Sequence, residues 1–302
     1  RLYYFKSKKY FSFEPRISAS YSFTDDFKLN AAFAIAHQFL HLIIRNDISL
    51  PTDLWYPSSE EVAPSKAMQY VFGFDSYFNE KEYQLTVEGY YKKMENLYEF
   101  QNAPVLHPGA SVDEFLTSGN GEAYGVEFFV NKRAGNLSGW IGYTLSWTKR
   151  KFEDLNAGKV FYPRYDRRHD VSIVLAYNVT EQLSLGAFWT YATGQGFTVP
   201  TGQYRFPDIG QNNQSLLRID YTGRNEYRLP AFHKLDLSVS YKFEFLNLPF
   251  RAFLNIYNLY NRQNPFSYYT SYSGDPGSSG NVVLNQITLF PFIPSLGIEV
   301  KF

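Results

Sequence analysis

The sequence predicts an all-β fold, a transmembrane antiparallel β-barrel to which this chain contributes about 11 strands, and three observations carry that expectation. The first is alternation. Leu235-Asp236-Leu237-Ser238-Val239-Ser240-Tyr241-Lys242-Phe243 places apolar and polar side chains in strict turn, and the same rhythm recurs along the chain. A period of two sends apolar groups to one face of an extended strand and polar groups to the other. Closed on itself, such a sheet shows hydrocarbon outward and water inward. The second is composition: aromatic residues reach 19%, with 26 Tyr and 28 Phe, whereas Met is 2 and Cys 0. Aromatics suit pleated surfaces, and Tyr and Trp suit a boundary that is apolar on one side and wet on the other. The third is the spacing of connections. Short turns alternate with long Gly/Pro/Asn-rich stretches near 39–66, 96–120, 150–167, 194–231 and 262–286, as expected when one end of a barrel carries turns and the other carries loops.

The candidate strands follow in order. Near 11–23, Ile17, Ala19, Tyr21 and Phe23 alternate with Ser18 and Ser20 up to the turn Thr24-Asp25-Asp26. The segments near 27–38 and 67–79 are next, the latter closed by Glu80-Lys81. Near 82–95, Leu85, Val87 and Tyr91 face lipid and Glu88 the lumen; near 121–132, Val126, Phe128 and Val130 flank an inward Glu127. Beyond Ala134-Gly135-Asn136, the strand near 137–149 turns Ile141, Tyr143, Leu145 and Trp147 outward, Ser138 and Thr144 inward. The strand near 168–179, with Ser172 inward, and that near 182–193, with Leu183, Leu185, Ala187 and Trp189 outward and Ser184 inward, meet at Thr180-Glu181. Near 232–243, Asp236 and Ser238 face inward; a short connection over 244–248 leads to 249–261, with Arg251 and Asn255 inward. The last, near 287–302, turns Leu296, Ile298, Val300 and Phe302 outward, Glu299 and Lys301 inward. Most of these segments reach the roughly 9 to 11 residues that a tilted membrane strand needs. No charge falls in the middle of the outward set, where Lys or Arg would cost about 2 to 4 kcal/mol.

Composition also excludes. A formal charge of +0 offers no basic surface for nucleic acid. With no Cys there is no disulfide framework and no thiolate metal site. The longest apolar runs, Ala31 to Ala36 and Phe39 to Ile44, fall far short of the roughly 18 residues of a membrane helix, and mean hydropathy is −0.34. No signal peptide begins at Arg1, although an outer-membrane protein must be exported. A strand entering a short turn runs toward the periplasm, so Phe302 is expected there and Arg1 outside. A complete single-chain barrel has an even strand number with both termini periplasmic. Residues 1–302 are therefore expected to be one incomplete domain lacking its N-terminal wall. An equal missing half would give about 22 strands, the size class whose lumen is plugged.

Several segments together resemble the C-terminal barrel half of TonB-dependent outer-membrane receptors of the Bacteroidetes type. Gly119-Asn120-Gly121-Glu122-Ala123-Tyr124-Gly125-Val126-Glu127 resembles the family's Gly-x-Gly-x-Ala-x-Gly-x-Glu strand start. Asp166-Arg167-Arg168-His169-Asp170 resembles its Asp-x-Arg-His segment, and Arg228-Leu229-Pro230-Ala231-Phe232-His233-Lys234-Leu235-Asp236 its Arg-x-Pro-x-x-Arg/Lys-Leu-Asp stretch. Asn255-Ile256-Tyr257-Asn258-Leu259-Tyr260-Asn261 resembles the Asn-x-x-Asn-x-x-Asn strand, and Pro294 to Phe302 the terminal strand. The resemblance implies a bacterial outer-membrane transporter that imports a scarce ligand, with TonB delivering force to a plug. Its implied partners are outer-membrane lipid, TonB through a segment not in this chain, the outer-membrane assembly machinery, the imported ligand and, as a further candidate, a surface lipoprotein. No TonB box or plug segment lies in this sequence, and relatives of this kind are associated with siderophores, cobalamin, glycans and peptides.

Candidate ligand contacts are Trp55 and Tyr56, whose rings could stack on a ligand from an external loop; Arg167, Arg168 and His169, which could meet an acidic ligand at the mouth; and the lumen residues Glu88, Glu127, Arg251 and Asn255. For the aromatic pair the competing reading is loop packing or an interface anchor, and for the arginines a hydrogen-bonded rim network. Leu296, Ile298, Val300 and Phe302 resemble the carboxy-terminal signal read by the assembly machinery, and they also simply meet lipid. Gly119 to Gly125 looks like a phosphate-cradling loop, but that needs a following helix, and Tyr124 to Val130 alternates as a strand. The glycines read better as relief of crowding at a rim. His37 and His41 have the spacing of a helical zinc pair; on a strand they stand about 13 Å apart, too far for one metal. Adjacent Glu60 and Glu61, or Asp25 and Asp26, point apart and form no acid/base dyad, and no Gly-x-Ser-x-Gly elbow is present. The chain therefore reads as a non-enzyme without cofactor or metal. Two rivals stay open: a passive porin-like barrel of about 12 strands, completed by residues 1–10, and an outer-membrane hydrolase with catalytic groups on its wall.

Overall fold

The computed structural model describes residues 2–5, 10–43, 54–101, 109–207, 215–221, 223–273 and 281–300. Eleven strands form one sheet: β1 (Arg16–Thr24), β2 (Phe27–Gln38), β3 (Ser65–Phe78), β4 (Tyr83–Phe100), β5 (Leu116–Lys132), β6 (Leu137–Phe152), β7 (His169–Asn178), β8 (Leu183–Ala192), β9 (Phe232–Phe245), β10 (Leu248–Tyr257) and β11 (Ile293–Val300). Each pairs antiparallel with its sequence neighbour, so the wall is an uninterrupted meander with β1 and β11 at its two edges. The fold class and strand count are those expected from alternation.

Register turns the alternation into rows. Tyr21, Leu29, Phe74, Val87, Phe128, Tyr143, Val171 and Tyr191 lie side by side across β1 to β8 on one face. One residue along, Ser20, Asn30, Gly73, Glu88, Glu127, Thr144 and Asp170 form the matching row on the other. The first face, here termed outward, carries the large exposed hydrophobic groups, with Ile17 64%, Ile298 71% and Leu296 84% exposed. Bulk apolar exposure on this scale marks a surface meant for hydrocarbon or a partner.

Short turns close one end of the wall. At Thr24-Asp25-Asp26 the threonine hydroxyl accepts the Asp26 amide at 3.2 Å, and Thr180 Oγ1 accepts the amides of Gln182 and Leu183 at 3.2 and 3.0 Å. Small polar side chains here replace the ladder bonds that the reversing backbone gives up. Gly135 supplies a φ of 91° between β5 and β6.

Several boundaries differ from the sequence expectation, among them the end of β10 at Tyr257 rather than 261. The first strand begins at Arg16, because Pro15 separates it from a short strand Tyr10–Phe13 that pairs with Leu2–Phe5. The last splits into Asn281–Thr288, paired with Pro265–Ser273, and β11. Phe290 adopts φ 56° there, and Pro291 removes an amide, so an apolar run that looks continuous in sequence turns a corner. β4 and β5 run on into the segment expected to be loop, through Phe100 and from Leu116. The remaining long connections carry small hairpins, Leu40–Ile43 with Leu54–Pro57, Gly196–Phe197 with Tyr227–Arg228, and Pro200–Pro207 with Ser215–Tyr221. Arg1, Ile44, Lys301 and Phe302 lie outside the described residues.

The facing of the wall predicts a one-residue asymmetry in the full-length protein refolded into lipid vesicles. Phe128→Lys, on the outward row, is expected to lower stability in a denaturant titration by about 2 to 4 kcal/mol. Thr144→Lys, one row position away on the interior face, is expected to shift it by about 0.5 kcal/mol or less.

Candidate functional site

The interior face is polar because the strands put every second residue there, and the polar groups are joined across strands. Ser20 Oγ donates to Asn30 Oδ1 (2.8 Å), Asn30 Nδ2 to Asp75 Oδ2 (2.7 Å) and Thr86 Oγ1 to Asp75 Oδ1 (2.6 Å), a chain from β1 to β4. Glu88 and Glu127 are direct cross-strand partners between β4 and β5. Farther round, Lys234 bridges Asp236, whose other oxygen accepts the Asn258 amide at 2.9 Å, and the Lys234 ammonium sits 4.2 Å from the Tyr257 ring centroid. Such a surface, polar but internally bonded, is one that water or a polar ligand can wet.

Above the wall, at the long-loop end, the connections fold onto two small apolar cores. Ile43, Val62, Tyr98 and Leu116 make one; Phe152, Leu155 and Phe161 make the other, with Leu97 packed against it. Two buried carboxylates tie these loops down. Glu99 accepts Arg150 Nη1 at 2.8 Å and also binds Arg224, far along the chain. Asp166 holds Arg228, accepts the Thr148 amide at 2.6 Å and lies 3.5 Å from Arg168 Nη2. The Arg168 guanidinium also caps the Trp147 ring (4.7 Å) and, with Arg228, flanks Tyr162 at 5.4 and 5.5 Å. Charge-assisted bonds to a carboxylate with two cations offset the desolvation of burying it, whereas one cation removed leaves an uncompensated charge.

The expected site residues are spread over the wall and the connections. Glu88 and Glu127 stand together on the interior face. Arg251 and Asn255 share that face on β10, and Arg251 Nε lies 3.2 Å from Glu299 of β11. Arg168 is engaged in the Asp166 network, and the Arg167 carbonyl accepts Ser146 Oγ at 3.0 Å. His169 falls in the outward row beside Leu145, where its Nδ1 lies 2.9 Å from Tyr143 Oη. Trp55 is 58% exposed in the hairpin strand Leu54–Pro57, and Tyr56 beside it, hydrogen-bonded to Asp113 and partly buried, has its phenol pKa pushed up to about 12. Leu296, Ile298 and Val300 occupy the outward positions of β11 facing Leu254, Ala252 and Phe250. Sequence reasoning missed Glu99, Arg150 and Arg224, whose local sequence carries no signal that they meet.

The two histidines are far apart in role. His37 lies on β2 with Nδ1 3.4 Å from the buried Glu14. His41, buried against Tyr98, has Nε2 2.9 Å from Ser58 Oγ and Nδ1 3.1 Å from Ser65 Oγ, while Ser65 donates to the Asn96 carbonyl at 2.5 Å. That pattern fits a neutral ring whose Nδ1–H donates to Ser65 and whose Nε2 accepts from Ser58. Burial pushes its pKa down. Glycine, too, is structural: a Cβ at Gly119 or Gly125 would stand 2.5 Å from a carbonyl oxygen of β6, so the glycine-rich start of β5 relieves close strand packing.

The family model described as TonB dependent receptor-like, beta-barrel, matches residues 3–259, and the chain belongs to that family. Its members are bacterial outer-membrane receptors and transporters rather than enzymes. Solved structures share the fold. The ferripyoverdine receptor of the outer membrane of Pseudomonas aeruginosa aligns over 94% of this chain and 32% of its own, at 14% identity and TM-score 0.56. The ferric yersiniabactin uptake receptor from Yersinia pestis aligns over 95% and 37%, at 17% and 0.56. The ferric-catecholate import receptor Fiu from K12 E. coli aligns over 94% and 34%, at 18% and 0.52. The chain thus spans about a third of the length of these receptors. No curated protein matches the sequence.

Two outcomes test the rim in the full-length protein. Glu99→Gln, which leaves Arg150 and Arg224 without their carboxylate, is expected to cost the loop layer on the order of 3 kcal/mol and to speed proteolytic cleavage within 150–168 by about a hundredfold. For His41 the sign follows from its lowered pKa: the unfolded hairpin takes up a proton below about 6.5 while the folded one resists it, so stability is present above that pH and lost as pH falls. Amides of 40–43 are expected to exchange faster at pH 5 than at pH 7.5 after correction for intrinsic rates, and His41→Asn to flatten the difference.

Proposed function

We propose that the chain is the C-terminal half of the barrel of a TonB-dependent outer-membrane transporter of the Bacteroidetes type, one wall of about 22 strands around a plug supplied by preceding sequence. The observation that carries this reading is the continuous meander of eleven strands with apolar rows outside, polar rows inside and large folded connections at one end only. The match over residues 3–259 supports it, as does the order of the motifs quoted from the sequence. In this reading TonB acts through the plug, the assembly machinery reads the end of the last strand, and a surface lipoprotein is an optional partner.

The ligand enters by the vestibule that the folded connections frame. Trp55 offers an exposed ring there with Tyr56 beside it, Arg167 and Arg168 are the cations of the rim, and Glu88, Glu127, Arg251 and Asn255 line the path below. The neighbours named above are receptors for ferric siderophores, which makes an iron chelate the first ligand class to test.

A deletion strain decides. Loss of growth on a limiting iron chelate, restored by the full-length gene but not in a strain lacking TonB, is the expected result. Normal growth on limiting iron with a defect on a vitamin or polymer would reassign the ligand, and uptake that persists without TonB would overturn active transport in favour of a passive pore.

A further inference from the structure

The outward face of β3 to β6 changes character toward the loop end in a way that transport does not explain. Tyr70, Tyr91, Tyr124 and Trp147 stand in one row, with the Tyr124 and Trp147 rings stacked at 5.4 Å. One step beyond, the row reads Met68, Lys93, Glu122 and Lys149; the next pairs Lys66 with Glu95 and Asn120 with Lys151. Four ammonium groups against two carboxylates leave this outward patch net cationic. Glu95 holds Lys66 and Lys93 at 3.5 Å each, and Glu122 holds Lys149 at 3.5 Å, so the carboxylates space the lysines without neutralising them. At the opposite end of the same strands, Lys132 is matched by Glu82.

On the other side of the aromatic row lies a depression. Gly89 has no side chain between Phe72 and Val126, and a Cβ placed on it would meet nothing nearer than 3.8 Å, so neither crowding nor backbone strain demands glycine here. The resulting groove of about 660 Å³ is walled by Tyr70, Phe72, Val87, Tyr91, Val126 and Trp147. Aromatic girdles mark the edge of the hydrocarbon. At about 3.3 Å per residue and a tilt near 40°, positions two and four residues beyond the girdle stand roughly 5 and 10 Å above it, within the headgroup layer.

We propose that this face seats a phosphorylated lipid of the outer leaflet, one acyl chain in the Gly89 groove and its phosphate held above Glu122 by Lys93 and Lys149, whose ammonium groups together with Lys66 and Lys151 at the flanks outnumber the two carboxylates. The inference rests on the outer-membrane reading above and adds a lipid site outside the barrel, independent of the transported ligand. Hydrocarbon alone would fill the groove but has no use for the cations; a soluble anion would use the cations but not the groove. The two features adjoin across one ring row, which is the spacing of headgroup and tail.

The test uses the full-length protein in detergent and native mass spectrometry after exposure to a bis-phosphorylated, multiply acylated glucosamine disaccharide lipid. The wild type is expected to retain one such lipid and to bind the dephosphorylated lipid at least tenfold less. Lys93→Gln with Lys149→Gln is expected to lower retention tenfold or more, as is Gly89→Leu, which fills the groove and leaves every charge in place. Lys92→Gln, on the interior face of the same strand, is expected to change nothing. Equal retention of the two lipids, unchanged retention in either variant, or complete displacement by an equimolar amount of inorganic phosphate would overturn the site. Heat-modifiable migration separates the failures: a protein that never forms a membrane-embedded barrel overturns the transporter reading, whereas an intact barrel without lipid selectivity overturns this inference alone.

Discussion

A peptide amide surrounded by hydrocarbon has no water to bond, so a strand in such a place depends wholly on its neighbours for hydrogen bonds. Everything else in this wall follows from that dependence. The strands must be consecutive and antiparallel, because a two- or three-residue turn is the shortest way to deliver the next partner, and the sheet order is indeed the chain order throughout. Once the ladder fixes register, the side chains have no further choice of face. A slip of one residue would carry Glu88 and Glu127 outward and Val87 and Phe128 inward together, which is why the pairing is specified so strongly.

Beyond the wall the constraint changes. Water is at hand, and the connections are held by small apolar cores and buried ion pairs rather than by a continuous ladder. The rings of Tyr162, Trp147 and Phe161 give the arginines flat surfaces to lie on, so the guanidinium planes are positioned by stacking as well as by charge. This layer sits at the long-connection end of the wall, and its order comes from contacts between connections that are distant in sequence.

That difference explains what could be read in advance. Alternation is local, so the eleven wall strands, their faces and the turns at Thr24 and Thr180 were legible residue by residue. The last strand was misjudged because Leu289, Phe290, Phe292 and Ile293 form an apolar run across a change of phase: Ile287 precedes the corner on odd numbering, and Leu296 and Ile298 follow it on even. The hairpin of Leu40–Ile43 with Leu54–Pro57 was hidden inside a stretch whose prolines and glutamates signal loop. Parity puts Glu88 and Glu127 on one face, where they are cross-strand partners, whereas Glu99, Arg150 and Arg224 were invisible. Nothing in their local sequence distinguishes a charge with a distant partner from one facing solvent.

The ion pair between Glu99 and Arg224 spans 125 positions, and it carries a consequence for the order of assembly. A carboxylate stays hydrated until its counter-ions arrive, and one of these belongs to the connection ahead of β9. Pairing β4 with β5 therefore does not by itself supply the partners that bury Glu99 at the β4 end of the mouth. The cap is thus complete only when residues from β4, β6 and the connection ahead of β9 are together.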